Sequence, residues 1–164
     1  MFKKFVMAAP LAVLAFSSSM AFAAGEARQS IDLRAHVPTN TFHVQPVTPI
    51  SGPQSFFYRV QDGGFDPLSF QFDTRNTNGS IHASLESLVE LFNGANTIPV
   101  KVEFNGVELT TTPQMVVDEP TSTPGHRTSM RLTPAAPGVG GYPAGDYVTV
   151  ANVTFDAVPP VVTP

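Results

Sequence analysis

Four histidines are the first residues to test for chemistry: His36, His43, His82 and His126. None stands at the close spacing of a typical zinc motif, so no metal site is expected. Carboxylates such as Asp73, Glu103 and Asp156 are numerous enough for an acid/base pair, but no pattern selects two of them. Ser and Thr are abundant, yet no Gly-x-Ser-x-Gly elbow occurs. Gly138-Val139-Gly140-Gly141 lacks the Lys-Ser/Thr that a phosphate loop needs, and proline-rich sequence surrounds it. Asn78-Gly79-Ser80 and Asn152-Val153-Thr154 are formal glycosylation sequons, a pattern that arises easily by chance. With no cysteine, thiolate chemistry, cysteine metal sites and disulfides are all excluded. The expectation is a protein without catalysis and without a cofactor.

The elements that could organise a function begin at the N-terminus. Lys3 and Lys4, an apolar stretch from Phe5 to Phe16, and Ala21-Phe22-Ala23 form the pattern of an export signal. The expected cut lies between Ala23 and Ala24, with Ala24/Gly25 as second choice. A membrane anchor is disfavoured, because the apolar run is short and no later run has membrane length. Residues 1–23 are then signal peptide. The remaining 141 of 164 residues suit one domain with a real core. They carry seven basic against thirteen acidic residues, a net charge of −6, with Lys101 the one lysine left. A basic footprint for nucleic acid is absent, and the acids are scattered.

Sixteen prolines and twelve glycines imply many turns and no long helix. Ser30 to Val37 alternates polar and apolar without a slip, and Pro38 stops it. Phe42 to Val47 could be a short edge strand, where proline is tolerated. Phe56–Val60, Leu68–Thr74 and Ile81–Leu85 follow as strands, separated by Gly- and Asn-rich turns. Leu85, Leu88, Val89 and Phe92 fit helical spacing, which predicts a short helix over Glu86–Phe92. Ile98–Phe104, Asn105-Gly106 and Val107–Thr111 form the strongest hairpin signal, with a type I′ turn. Pro113–Gly125 is expected to be a loop. Thr128–Leu132 and a long run Asp146–Ala157 complete the strands. Val158–Pro164 reads as a frayed tail. This pattern predicts an all-β sandwich.

Ile31, Leu33, Ala35 and Val37 project from one face of the opening strand, which spans roughly 20 Å at the usual rise. By alternation alone this is an ordinary first strand of a self-contained sandwich. The C-terminus opens a second reading. After the last strand only proline-broken sequence remains. If that strand occupies the penultimate place, its outer edge and part of the core lack cover. Another chain's strand could fill the gap by β-strand addition.

Several segments carry a family resemblance. Ile31-x-Leu33-x-Ala35-x-Val37-Pro38, Ile98–Thr111, Met130–Pro137 and Pro143–Tyr147 stand in an order that resembles the major pilin subunits of the alpha class of chaperone–usher fimbriae. That class includes the enterotoxigenic colonisation-factor pilins, and cable-pilus pilins are the nearest relatives suggested. The resemblance covers nearly the whole mature chain. The tail from Val158 and the stretch Met115–His126 depart from it.

The resemblance implies an incomplete immunoglobulin-like sandwich over residues 41–157, with 24–40 as a donor-strand extension and 158–164 as a tail. It implies Ile31, Leu33, Ala35 and Val37 as donor side chains and Pro38 as a hinge. Tyr147, Ala151, Val153, Phe155 and Ala157 would line the acceptor groove, with Thr149 interrupting. Implied partners are identical subunits, a periplasmic chaperone, an outer-membrane usher and a tip adhesin. The implied place is the cell surface, reached through the periplasm. Burying four donor side chains would contribute several kcal/mol, at about 25 cal/mol per Å².

Two other classes compete. A secreted carbohydrate-binding sandwich would need exposed aromatics around a groove. There is no Trp, and Tyr58, Tyr142 and Tyr147 are mostly far apart in sequence. A tip adhesin tends to carry a second, receptor-binding domain, and this chain has length for one.

Overall fold

A computed structural model describes residues 41–160. The signal segment, the donor-strand residues Ile31, Leu33, Ala35 and Val37, and the hinge Pro38 lie outside the described residues, as do 161–164. The strands are β1 (Phe42–Pro46), β2 (Tyr58–Arg59), β3 (Gly64–Phe65), β4 (Leu68–Asn76), β5 (Ser80–Leu85), β6 (Glu90–Phe92), β7 (Thr97–Phe104), β8 (Val107–Glu108), β9 (Gln114–Val117), β10 (His126–Pro134) and β11 (Val153–Val158). One short helix, α1, covers Glu119–Ser122.

Two antiparallel sheets form a sandwich. One has the order β1-β4-β10-β7-β6, with β8 also on β7. The other has the order β11-β5-β9. Strict alternation explains the layering. Along β7, Ile98, Val100, Val102 and Phe104 are buried, while Thr97, Pro99 and Lys101 are exposed. Ile81, Ala83 and Leu85 do the same on β5. A strand with one greasy face must cover it, and the two inner faces cover each other. Phe104 joins them. Its ring meets Phe72 of β4 at 5.5 Å and Phe155 of β11 at 4.8 Å, both edge to face. Edge-to-face pairs at this spacing add to simple burial.

The Asn105-Gly106 turn forms as expected. Both residues have positive φ, 52° and 77°, which the twist of a two-residue hairpin requires. The Asn105 side chain then does more than turn. Its Nδ2 donates to Val116 O at 2.7 Å, and its Oδ1 accepts from Thr128 Oγ1 at 2.8 Å.

Three expectations are corrected. Glu86–Phe92 is not helical. Val89 and Leu91 alternate inward, and β6 pairs with β7 through Leu91↔Ile98. Helical spacing and a two-residue alternation share these positions, and pairing decided between them. Pro113–Gly125 is not a bare loop. It holds β9, which pairs with β5, and α1, capped by Asp118 accepting from Thr121 N–H. Asp146–Ala157 is not one strand. Only β11 is continuous, and Val148 instead exchanges both backbone bonds with Phe92 of β6, each 3.0 Å. The chain therefore crosses from one sheet to the other between Val148 and Val153. Smaller differences are that β2 and β8 are two residues each, that β10 is longer than expected, and that β11 includes Val158.

Candidate functional site

The candidate site is the outer edge of β11. The register Val153↔Leu85, Phe155↔Ala83 and Ala157↔Ile81 turns these three side chains toward the core. The backbone phase follows from one bond. Glu86 N–H donates to Asn152 O at 3.1 Å, so Asn152 turns its polar groups toward the β5 side. Alternation directs Thr154, Asp156 and Val158 the same way, and sends the N–H and C=O of Val153, Phe155 and Ala157 to the opposite edge. Leu85 N–H donates to Thr110 O, away from β11, which gives the same phase from the partner strand. Among the described residues no strand pairs with that outer edge. Three donors and three acceptors therefore stand in a row beside a core-facing apolar strip.

The side chains expected to line a groove are placed as follows. Val153 and Phe155 are half-buried against the core, and so are Tyr147 and Ala151 ahead of the strand. Ala157 shares their face by register but is exposed. Val148, Thr149 and Val150 are exposed in the crossover. At the edge of the other sheet, Phe42 and Val44 of β1 face inward, opposite the buried Asn76 and Thr74 of β4, and are half-buried. The end of β11 is held by contact with a glycine. A Cβ on Gly79 would lie 2.0 Å from Val158 O, so no other residue fits without moving the strand.

The tyrosines require a correction. They are mostly far apart in sequence, which counted against a shared aromatic surface, yet the fold gathers them. Tyr58 and Tyr142 lie 6.4 Å apart, Phe65 and Tyr142 5.0 Å apart, and Tyr147 lines the same hollow of about 360 Å³. Two of the hydroxyls are committed to the chain itself. Tyr142 donates to Ala135 O and Tyr147 to Pro143 O. Burial, and secondarily Tyr58, pushes the Tyr142 phenol above its ordinary value. The cluster fastens the Ala135–Tyr147 loop to the β2–β3 hairpin. The sequence signal for it was weak, because it joins a two-residue strand to an irregular loop.

Among the described residues, no group of three or more His, Asp or Glu side chains is placed to hold a metal ion. Charged residues form local pairs instead. Arg127 and Asp73 meet through two hydrogen bonds, 2.7 and 3.0 Å, across β10 and β4. Arg59 binds both Asp62 and Asp66 at the β2–β3 hairpin. The hydrogen bonds from Arg127 hold the Asp73 carboxyl below its usual range, and those from Arg59 do the same for Asp62.

Residues 27–156 match the CS1 type fimbrial major subunit family. The chain belongs to that family. Among curated proteins none matches the chain. A solved structure with a similar fold is the CooA pilin subunit from enterotoxigenic Escherichia coli. It has a TM-score of 0.56 and 19% sequence identity, over 69% of this chain and 86% of that chain. The protein is thus a structural pilin of the fimbrial major subunit type and not an enzyme. It polymerises into fimbriae, which are surface-exposed appendages.

Proposed function

We propose that this pilin polymerises by donor-strand exchange and so builds a fimbria that supports adhesion. The observation that carries the reading is the outer edge of β11, with Val153, Phe155 and Ala157 presenting backbone groups that no described strand meets. In this reading the segment Ile31–Val37 of another copy pairs with that edge. Ile31, Leu33, Ala35 and Val37 enter the cleft between the sheets, beside Val153 and Phe155. Tyr147 and Ala151 extend the lining and Ala157 closes it. Main-chain bonds supply generic pairing and the four side chains fix register. A one-residue slip would drive Asp32 and Arg34 into the cleft. A periplasmic chaperone would cover the same edge before assembly, and an outer-membrane usher would be the place of exchange.

Leu33→Asp tests this in the full-length chain with its assembly machinery. A charge at a central donor position is expected to abolish surface fimbriae, because burying an unpaired carboxylate costs several kcal/mol. The acceptor cleft of the same variant stays intact, so it still accepts a wild-type donor and caps filaments in a mixed culture. Normal fimbriae from Leu33→Asp alone would refute donor-strand exchange through this segment.

A further inference from the structure

The aromatic hollow beside the β2–β3 hairpin adjoins a second one. Phe65, Gly145 and Tyr147 line both the first, of about 360 Å³, and the second, of about 410 Å³. Tyr58 and Tyr142 add rings to the first, and Phe56 adds one to the second. Each volume lies in the usual range for a small-ligand site. A carbohydrate site needs aromatic rings around a groove, and the fold supplies them where the sequence keeps them apart. Four polar side chains here are uncommitted. Tyr58 lines the first hollow, and Ser55, Asp146 and Thr149 line the second. All four residues are exposed, and their side chains have no hydrogen-bond partner among the described residues. The Tyr142 and Tyr147 hydroxyls, by contrast, donate to Ala135 O and Pro143 O. Those bonds fix two of the rings before any ligand arrives, which lowers the cost of binding. Among the described residues no basic side chain lines either hollow. Arg59, next to Tyr58 in the chain, is held by Asp62 and Asp66.

We propose that these adjoining hollows bind a neutral glycan, an inference that rests on the adhesion part of the reading above. A pyranose ring has an apolar C–H face and a rim of hydroxyls. The C–H face suits the flat ring of a tyrosine or phenylalanine. The hydroxyls both donate and accept, as do Ser55, Thr149 and Tyr58, while the Asp146 carboxylate accepts. A sialylated or sulfated glycan is disfavoured, because its anionic group would meet Asp146 and find no base. An aliphatic peptide segment is a poorer occupant. It would strip water from four polar side chains without replacing their hydrogen bonds. Weak binding at one copy suffices, since a fimbria repeats the site along its length and multivalent contact raises avidity by roughly 10²–10⁴.

The test applies assembled fimbriae of the full chain to an array of neutral hexose and N-acetylhexosamine oligosaccharides, with sialylated and sulfated ones beside them. Wild-type fimbriae are expected to be retained by neutral members and not by anionic ones. Tyr58→Phe keeps the ring and removes only the hydroxyl. Asp146→Ala removes a side chain that holds no partner among the described residues. Each variant is expected to assemble normally by electron microscopy and to weaken retention about threefold to tenfold, the range for one lost hydrogen bond. Tyr147 also belongs to the proposed acceptor groove, so no variant is placed there. Retention that both variants leave unchanged would overturn this site while leaving adhesion standing. Retention by no neutral glycan, or a preference for the anionic ones, would overturn it as well. Failure of donor-strand exchange is a separate result, seen as normal fimbriae from Leu33→Asp.

Discussion

Ser122 has no exposed surface, yet it carries a hydroxyl. That hydroxyl lies 2.6 Å from Gly79 O and 3.2 Å from both Asn76 O and Glu119 O. One proton cannot serve three acceptors, and Gly79 O has the best distance. The bond ties α1 to the β4–β5 turn, and the same glycine supports the end of β11. Ser122→Ala is expected to cost about 1–3 kcal/mol in urea unfolding, the range for a buried polar group that loses its partner. Gly79→Ala is expected to cost more and to raise hydrogen exchange at the end of β11, because its Cβ meets backbone rather than a movable side chain. A second residue-scale outcome concerns pH. Asp73 titrates below its ordinary value of 3.8 because of Arg127. Its folded pKa is depressed, so its contribution is complete above the ordinary value and is lost as pH falls through the lowered one. The pair is solvent-exposed, so that contribution is small, and Arg127→Gln should flatten this part of a stability-against-pH curve.

At the scale of elements, the strands with clean alternation were readable in the residues: β4, β5 and β7 each show a two-residue period and bury their apolar face, and β10 was readable as a strand. The turn chemistry of Asn105-Gly106 was equally readable. What escaped is what long-range pairing decides. Glu86–Phe92 fits two periods, and only β7 beside it selects the strand. β9 lies in a stretch with little pattern, and its neighbour β5 supplies the reason for it. The run Asp146–Ala157 reads as one strand despite the interruption at Thr149, but its first half is recruited by β6 and its second by β5. The groove residues in that run are the ones the family resemblance implies. Val153 and Phe155 face the core, whereas Tyr147 also lines the hollow of an aromatic cluster that no local pattern announces. The proposed donor-strand exchange carries an element-scale prediction. Pro38 limits the backbone angles available just before Thr41, so Pro38→Ala filaments are expected to differ in pitch or stiffness by electron microscopy. Unchanged pitch and stiffness would deny it a hinge role.

For the whole molecule, the core is built from two inner faces that meet at Phe72, Phe104 and Phe155. Without disulfides, stability depends on that burial and on complete strand pairing. A sandwich with an open last position is a poor monomer, because an exposed edge is a template for association. The same defect makes a good polymer link when the missing strand comes from the next copy. Under the proposed donor-strand exchange, resistance of the filament is largely kinetic, since each strand must unzip before a joint parts. The most direct measurement starts the chain at Thr39 and follows its thermal unfolding with and without a peptide copying Gln29 to Pro38. The account predicts a marginal, aggregation-prone domain that the peptide converts to a stable, soluble one. A stable monomer whose unfolding ignores the peptide would contradict it.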